Sequence, residues 1–131
     1  MRPATLLCVV MGSILGGLSI AHPVFAHHSF GLFDRSQVIS RTGTINEFEW
    51  INPHTWLHVD LADENGDVTT WSFEAGNIAQ LTRLGWNVES FSVGTQVTVG
   101  FRPMKDGSRG GQLMNVTLPD GRQVCSSVGC G

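Results

Sequence analysis

Residues 48–58 read Phe-Glu-Trp-Ile-Asn-Pro-His-Thr-Trp-Leu-His and join two segments with the composition of β-strands. Asn52-Pro53 interrupts the chain, because proline cannot donate to a β-ladder and Asn-Pro pairs favour turns. Residues 36–50 before the break are rich in Val, Ile, Thr and aromatic side chains, and residues 55–61 after it alternate apolar with other side chains. The stretch predicts two consecutive strands that meet at this turn.

A third strand is predicted at residues 68–74, after a turn at residues 63–66. Because side chains of a strand alternate between its faces, one register brings the apolar faces of the second and third strands together. That register pairs Leu57 with Phe73 and Val59 with Trp71. A slip of two residues would keep the faces and change the partners.

The other face of this strand pair is aromatic and polar, which makes it a candidate recognition surface. In the same register three pairs lie on it: Trp56 with Glu74, His58 with Ser72, and Asp60 with Thr70.

A short helix and two more strands follow. Asn77 is a suitable N-cap, residues 78–84 have an apolar helical stripe, and Gly85 is a suitable C-terminal glycine. Alternating apolar residues then predict strands around residues 97–101 and 114–118. The fold class is therefore all-β with one short helix, and the order of three strands, helix and two strands predicts a five-stranded OB-like barrel. An open β-sandwich is the alternative.

The first 26 residues have the pattern of a secretory signal peptide. Arg2 precedes an apolar run at residues 6–20, and small residues at 24–26 form a cleavage site. The run is shorter than the roughly 20 residues of a membrane-spanning helix. We expect cleavage after Ala26, a periplasmic or secreted protein with no membrane attachment afterwards, an OB-like domain at residues 27–121 and a tail at residues 122–131.

The charge balance argues against a nucleic-acid partner. The chain has 8 Lys and Arg residues, one of them Arg2, so 7 remain after cleavage against 11 Asp and Glu residues, a net charge of −4. The cations are scattered, whereas phosphate binding needs them clustered.

Cys125 and Cys130 are the two cysteines of the mature chain. An even count in an oxidising compartment predicts a disulfide, which here would close a small loop on the tail. A metal-binding or redox pair is the alternative, although the spacing is not that of a Cys-x-x-Cys motif.

Four histidines form the concentrated chemistry of the chain, and they suggest a metal site. Cleavage after Ala26 would make His27 the N-terminal residue, whose α-amine and ring nitrogen form a chelate suited to Cu(II). His28 and either His54 or His58 could complete the site. The alternatives are that His27 and His28 only flank the cleavage site and that His54 and His58 are structural.

A second hypothesis is a recognition module for a small polar ligand, a glycan or a partner protein. It would use Trp56, Asp60, Ser72 and Glu74 beside His58. An enzyme is the weaker interpretation, because the sequence contains no convincing acid–base pair, nucleophile–base pair or phosphate-binding loop.

Several spaced motifs together resemble the domain of unknown function 6152 family of small secreted bacterial proteins. The resemblance covers nearly the whole mature chain and implies a periplasmic protein with a small β-barrel-like domain, but no activity and no site residues. The segment from Cys125 to Cys130 departs from that pattern. The motifs are His27-His28-Ser29-Phe30, Phe33-Asp34, Gly43-Thr44-Ile45, Phe48-Glu49-Trp50, Asn52-Pro53-His54, Trp71-Ser72-Phe73-Glu74, Gly85-Trp86 and Asp106-Gly107-Ser108.

Overall fold

A computed structural model of the chain describes residues 29–127 and residue 130. The expected signal peptide and the His27-His28 pair lie outside the described residues. Within the part of the chain that the structure describes, none of the helices has the length and apolarity that crossing a membrane requires.

Two short helices and six strands make up this part of the chain. In order they are α1 (Ser29–Leu32), β1 (Ile39–Glu49), β2 (Trp56–Ala62), β3 (Val68–Glu74), α2 (Ile78–Arg83), β4 (Gln96–Pro103), β5 (Gly110–Thr117) and β6 (Gln123–Cys125).

The strands form the expected closed barrel. The sheet runs in the order β3-β2-β1-β4-β5-β6, and an additional pairing of β3 with β5 closes its first five strands into a ring. All neighbours are antiparallel except β3 and β5, which are parallel. The prediction of a five-stranded OB-like barrel is confirmed, and the open sandwich is not formed.

Irregularities in β1 and β4 accompany the curvature of the barrel. The register shifts between Ile45 and Glu47 in β1 and between Gly100 and Phe101 in β4. Such bulges bend a strand and increase its twist. Gly43 of β1 lies where two strands approach closely: a Cβ there would collide with the carbonyl oxygen of Asp60.

The barrel interior is filled from the faces predicted for β2 and β3. The observed register pairs Leu57 with Phe73 and Val59 with Trp71, as expected. Leu57, Val59 and Phe73 have no exposed surface, whereas Trp71 lies half-buried beside the core with Arg41 stacked over its ring at 5.7 Å. A core position for Trp71 is therefore correct only in part.

Helix α2 contributes to the core at one end of the barrel. Asn77 caps it, with its side-chain oxygen accepting from the Gln80 amide at 2.9 Å. Leu81 and Trp86 are buried in the core cluster. Gly85 follows the helix with a φ of 90°, a conformation that glycine adopts without steric cost.

The C-terminal segment is part of the sheet, which the sequence did not predict. β6 pairs with the outer edge of β5, and a disulfide joins Cys125 to Cys130. The Trp86 indole N–H donates to the Cys125 carbonyl at 2.8 Å. Residues 123–125 therefore cover a barrel edge rather than forming a free tail.

Candidate functional site

The aromatic and polar face predicted on β2 and β3 lies on the outside of the barrel. Trp56 pairs with Glu74, His58 with Ser72, and Asp60 with Thr70. Their neighbours in sequence are the buried residues of the core, so the pleat directs this second set outward.

His58 is held by a hydrogen bond at each ring nitrogen. Its Nε2 lies 2.9 Å from Glu49 Oε1, and its Nδ1 lies 2.9 Å from Ser72 Oγ. An ionised carboxylate can only accept, so Nε2 is the donor toward Glu49, and in the neutral ring Nδ1 accepts from the Ser72 hydroxyl. The side chain of His58 is only 17% exposed, and its orientation is fixed from both sides.

Strand β1 places two carboxylates, those of Glu47 and Glu49, near His58. Glu47 pairs directly with His58 across the sheet, and Glu49 pairs with the next residue on the same face, Trp56. One ligand atom from each of Glu47, Glu49 and His58 lies within 4.8 Å of the other two. We refer to these three residues as the His58 cluster. Within the described residues it is the one group of three such side chains with this proximity.

The remaining polar residues of the face are engaged with one another. Asp60 accepts from the Thr70 hydroxyl at 2.6 Å and from the Asn46 amide at 3.0 Å. These donors, Thr70 more than Asn46, lower the pKa of the Asp60 carboxyl. Trp56 stacks nearly parallel to the His58 ring, with the ring centres 6.5 Å apart.

His54 lies in the β1–β2 connection, after a cis Asn52–Pro53 peptide. Its Nδ1 is 2.8 Å from Glu74 Oε1 and 3.4 Å from the Ala75 carbonyl oxygen. The short distance identifies Glu74 as the main partner, since hydrogen bonds weaken with length. The contact of His54 with the Ala75 carbonyl is therefore secondary.

The His54–Glu74 pair lines a cavity of about 470 Å³. Phe33, Arg102 and Gln112 lie in its wall, and Ser126 and Ser127 contribute to it from the C-terminal segment. Gln112 pairs with Glu74 across the closing β3–β5 seam and with Arg102 across β4–β5. The three long side chains therefore stand in one row on the outside of the barrel.

The structure separates the candidate metal ligands into two places. His58 belongs to the His58 cluster, while His54 pairs with Glu74 at the cavity and is not in that group. His27 and His28 lie outside the described residues. The candidate ligand-binding residues Trp56, Asp60 and Ser72 share the face of the His58 cluster, and Glu74 lies at the boundary between that face and the cavity.

Sequence reasoning did not identify Glu47, Glu49 or Arg102 as site residues. For the glutamates a signal was present: they alternate with the apolar Phe48 at the end of the first strand, immediately before the turn to the strand with His58. A hairpin across Asn52-Pro53 brings them opposite Trp56 and His58. For Arg102 no local signal exists, because its neighbours come from β5 and from the closure of the barrel.

Comparison with known proteins identifies the family and nothing more specific. No curated protein and no solved structure matches the chain significantly. The model of a family of unknown function (DUF6152) matches residues 16–114, which is most of the chain and includes β1 to the middle of β5. The match ends before β6 and the disulfide. The chain belongs to this family of unknown function (DUF6152).

Proposed function

We propose that this protein is a periplasmic or secreted binding protein for a copper-type divalent metal ion. The observation that supports the proposal is the His58 cluster, in which one nitrogen and two carboxylate ligand atoms lie within 4.8 Å of one another. Imidazole and carboxylate donors suit Cu(II), which heads the affinity order of the divalent first-row ions.

One separation within the cluster, that of His58 and Glu49, suits two ligands of a shared ion. Two ligands about 2.0–2.1 Å from a metal and roughly at right angles are about 2.9 Å apart. His58 Nε2 and Glu49 Oε1 have this separation, 2.9 Å. The Ser72 hydroxyl at Nδ1 would keep the ring oriented while Nε2 gave up its proton to the metal.

His27 and His28 are the second part of the proposal, and they rest on the sequence alone. If cleavage follows Ala26, His27 offers an amine and an imidazole nitrogen, and His28 offers one more. Together with His58 these groups would supply the nitrogen-rich ligand set that Cu(II) favours. His58 rather than His54 belongs to this ligand set, because among the described residues only His58 lies close to two carboxylates.

The test is titration of the mature protein with Cu(II), followed by calorimetry and electron paramagnetic resonance. The N-terminus is first established by intact mass. We expect one ion to bind, and His58→Ala and His27→Ala each to lower the affinity at least tenfold. His54→Ala is the matched control and should change the affinity less than twofold.

Two results would contradict the proposal. Absence of Cu(II) uptake by the wild-type protein would remove it altogether. Equal losses in His58→Ala and His54→Ala would show that the His58 cluster is not the site.

A further inference from the structure

The cavity beside His54 and Glu74 has groups of opposite charge in one wall. Glu74 is on β3, Arg102 on β4, and Gln112 between them on β5. This cavity is separate from the His58 cluster, whose ligand groups are Glu47, Glu49 and His58.

Arg102, the cation in this wall, has few partners among the described residues. Arg102 Nη1 donates to Gln112 Oε1 at 3.2 Å, and no ion pair within residues 29–127 involves Arg102. Its Nε is buried and has no partner among the described residues. A guanidinium has five N–H donors in a planar fork that matches a carboxylate, so most of its donor capacity is not used by residues 29–127.

The anion keeps one oxygen available. The side chain of Glu74 is 14% exposed, and His54 Nδ1 contacts its Oε1. No group of the described residues donates to Oε2, which leaves this oxygen for a donor within the cavity. In such a shielded place a hydrogen bond to an ionised group is stronger than one between neutral groups.

The strand spacing along the row gives the scale of a ligand. Neighbouring strands are about 4.8 Å apart, so the backbone positions of Glu74 and Arg102 are separated by two spacings, about 10 Å. A peptide of three residues spans about 10 Å when extended. Apolar side chains of the wall, Phe33, Pro53 and Leu113, provide contacts for the middle of such a ligand.

We propose that this cavity binds a short zwitterionic peptide, with its terminal carboxylate at Arg102 and its terminal amine at Glu74. Gln112 stands between the two charges and can donate to or accept from a peptide group. His54 holds Glu74 in place and is a positioning residue.

The experiment uses trialanine as the probe and two analogues that each remove one charge, N-acetyl-trialanine and trialanine amide. Binding to the full chain is measured by calorimetry and by chemical-shift changes at Gln112. We expect trialanine to bind, and each analogue to bind at least tenfold more weakly.

Variants assign each charge to its partner. Arg102→Gln should lower the affinity for trialanine and for N-acetyl-trialanine at least tenfold. It should leave the affinity for trialanine amide, which is already low, unchanged. Glu74→Gln should lower the affinity for trialanine and for trialanine amide, and should leave the affinity for N-acetyl-trialanine unchanged. His58→Ala, in the His58 cluster, is the control and should not change the affinity for any of the three peptides.

The comparison of the three peptides on the wild-type protein tests the proposal even if a variant fails to fold. The proposal is overturned if trialanine does not bind, if the amide binds as tightly as the free peptide, or if Arg102→Gln weakens all three peptides equally. None of these results bears on the proposed Cu(II) binding, which would use other residues.

Discussion

Asp60 is the residue on the outer face whose carboxyl is most directly stabilised by its neighbours. The Thr70 hydroxyl and the Asn46 amide both donate to it, and they lower its pKa below its ordinary value of 3.8. A group whose pKa is lower in the folded state stabilises the fold above its unfolded pKa. That stabilisation is lost as the pH falls through the folded value.

We therefore expect Asp60→Asn to destabilise the protein at pH 6, and the difference from wild type to shrink as the pH falls through the lowered pKa of Asp60. At low pH the protonated carboxyl and the amide are near-isosteric and neutral, so the two proteins should converge. Urea unfolding at several pH values measures the difference. Asp67→Asn is the control, because its side chain makes no hydrogen bond to the described residues and the substitution should leave the profile unchanged. A pH-independent difference for Asp60→Asn would contradict the expectation.

For single residues, the sequence predicted the strand register and the face of the sheet better than it predicted side-chain contacts. The partners of His58 and Asp60 across β2 and β3 followed from alternation, because the apolar faces permit few registers. The contact of Glu49 with His58 and the position of Arg102 near Glu74 could not be predicted from alternation. Their contacts depend on the bulge between Ile45 and Glu47 and on the closure of the barrel, which are tertiary features.

Among the elements, β6 shows how a segment outside the family match can stabilise the barrel. Trp86 is buried, and its indole N–H donates to the Cys125 carbonyl. Val124 packs against the core, and the Ser126 hydroxyl donates to the Leu113 carbonyl. The segment thus covers the edge of β5 that would otherwise be unpaired.

We expect deletion of residues 122–131 to cost more stability than loss of the disulfide. The disulfide closes a small loop, for which the loop-entropy relation gives about 2 kcal/mol. Deletion loses this term, leaves the buried Trp86 N–H unpaired at a cost of about 1–3 kcal/mol, and also removes the packing of Val124. Urea unfolding of the deletion variant and of the Cys125→Ser, Cys130→Ser double variant makes the comparison. Equal losses would show that β6 contributes nothing beyond its cross-link.

At the scale of the whole molecule, the sequence predicted the order of elements and the class of fold. Turn residues, alternation in four of the five barrel strands, and the Asn77 cap were sufficient for an OB-like barrel. They could not show how the ring closes, because the β3–β5 pairing is short and joins segments about 40 residues apart. Gly110 and Gly111 lie outside the strand predicted around residues 114–118, and both are buried strand residues at this closure.

Closure of the barrel depends on the absence of a side chain at Gly110. Gly110 pairs with Ser72, and a Cβ at that position would collide with the Ser72 carbonyl oxygen, which is part of the backbone and cannot move alone. Gly110→Ala should therefore separate β3 from β5 and cost about 1–3 kcal/mol, the usual range for overpacking.

Urea unfolding and hydrogen exchange together test this prediction. The Ser72 amide, which donates to the Arg109 carbonyl at 3.2 Å, should exchange faster in Gly110→Ala. Gly31→Ala is the matched control, because a Cβ added there meets no atom of the described residues within 4 Å beyond its chain neighbours and its own helix backbone. Because Glu74 and Gln112 belong to the same three-residue pairing, the variant should also weaken the binding of any ligand in the cavity. An unchanged unfolding midpoint with unchanged exchange at Ser72 would mean that the seam tolerates a side chain and does not control closure.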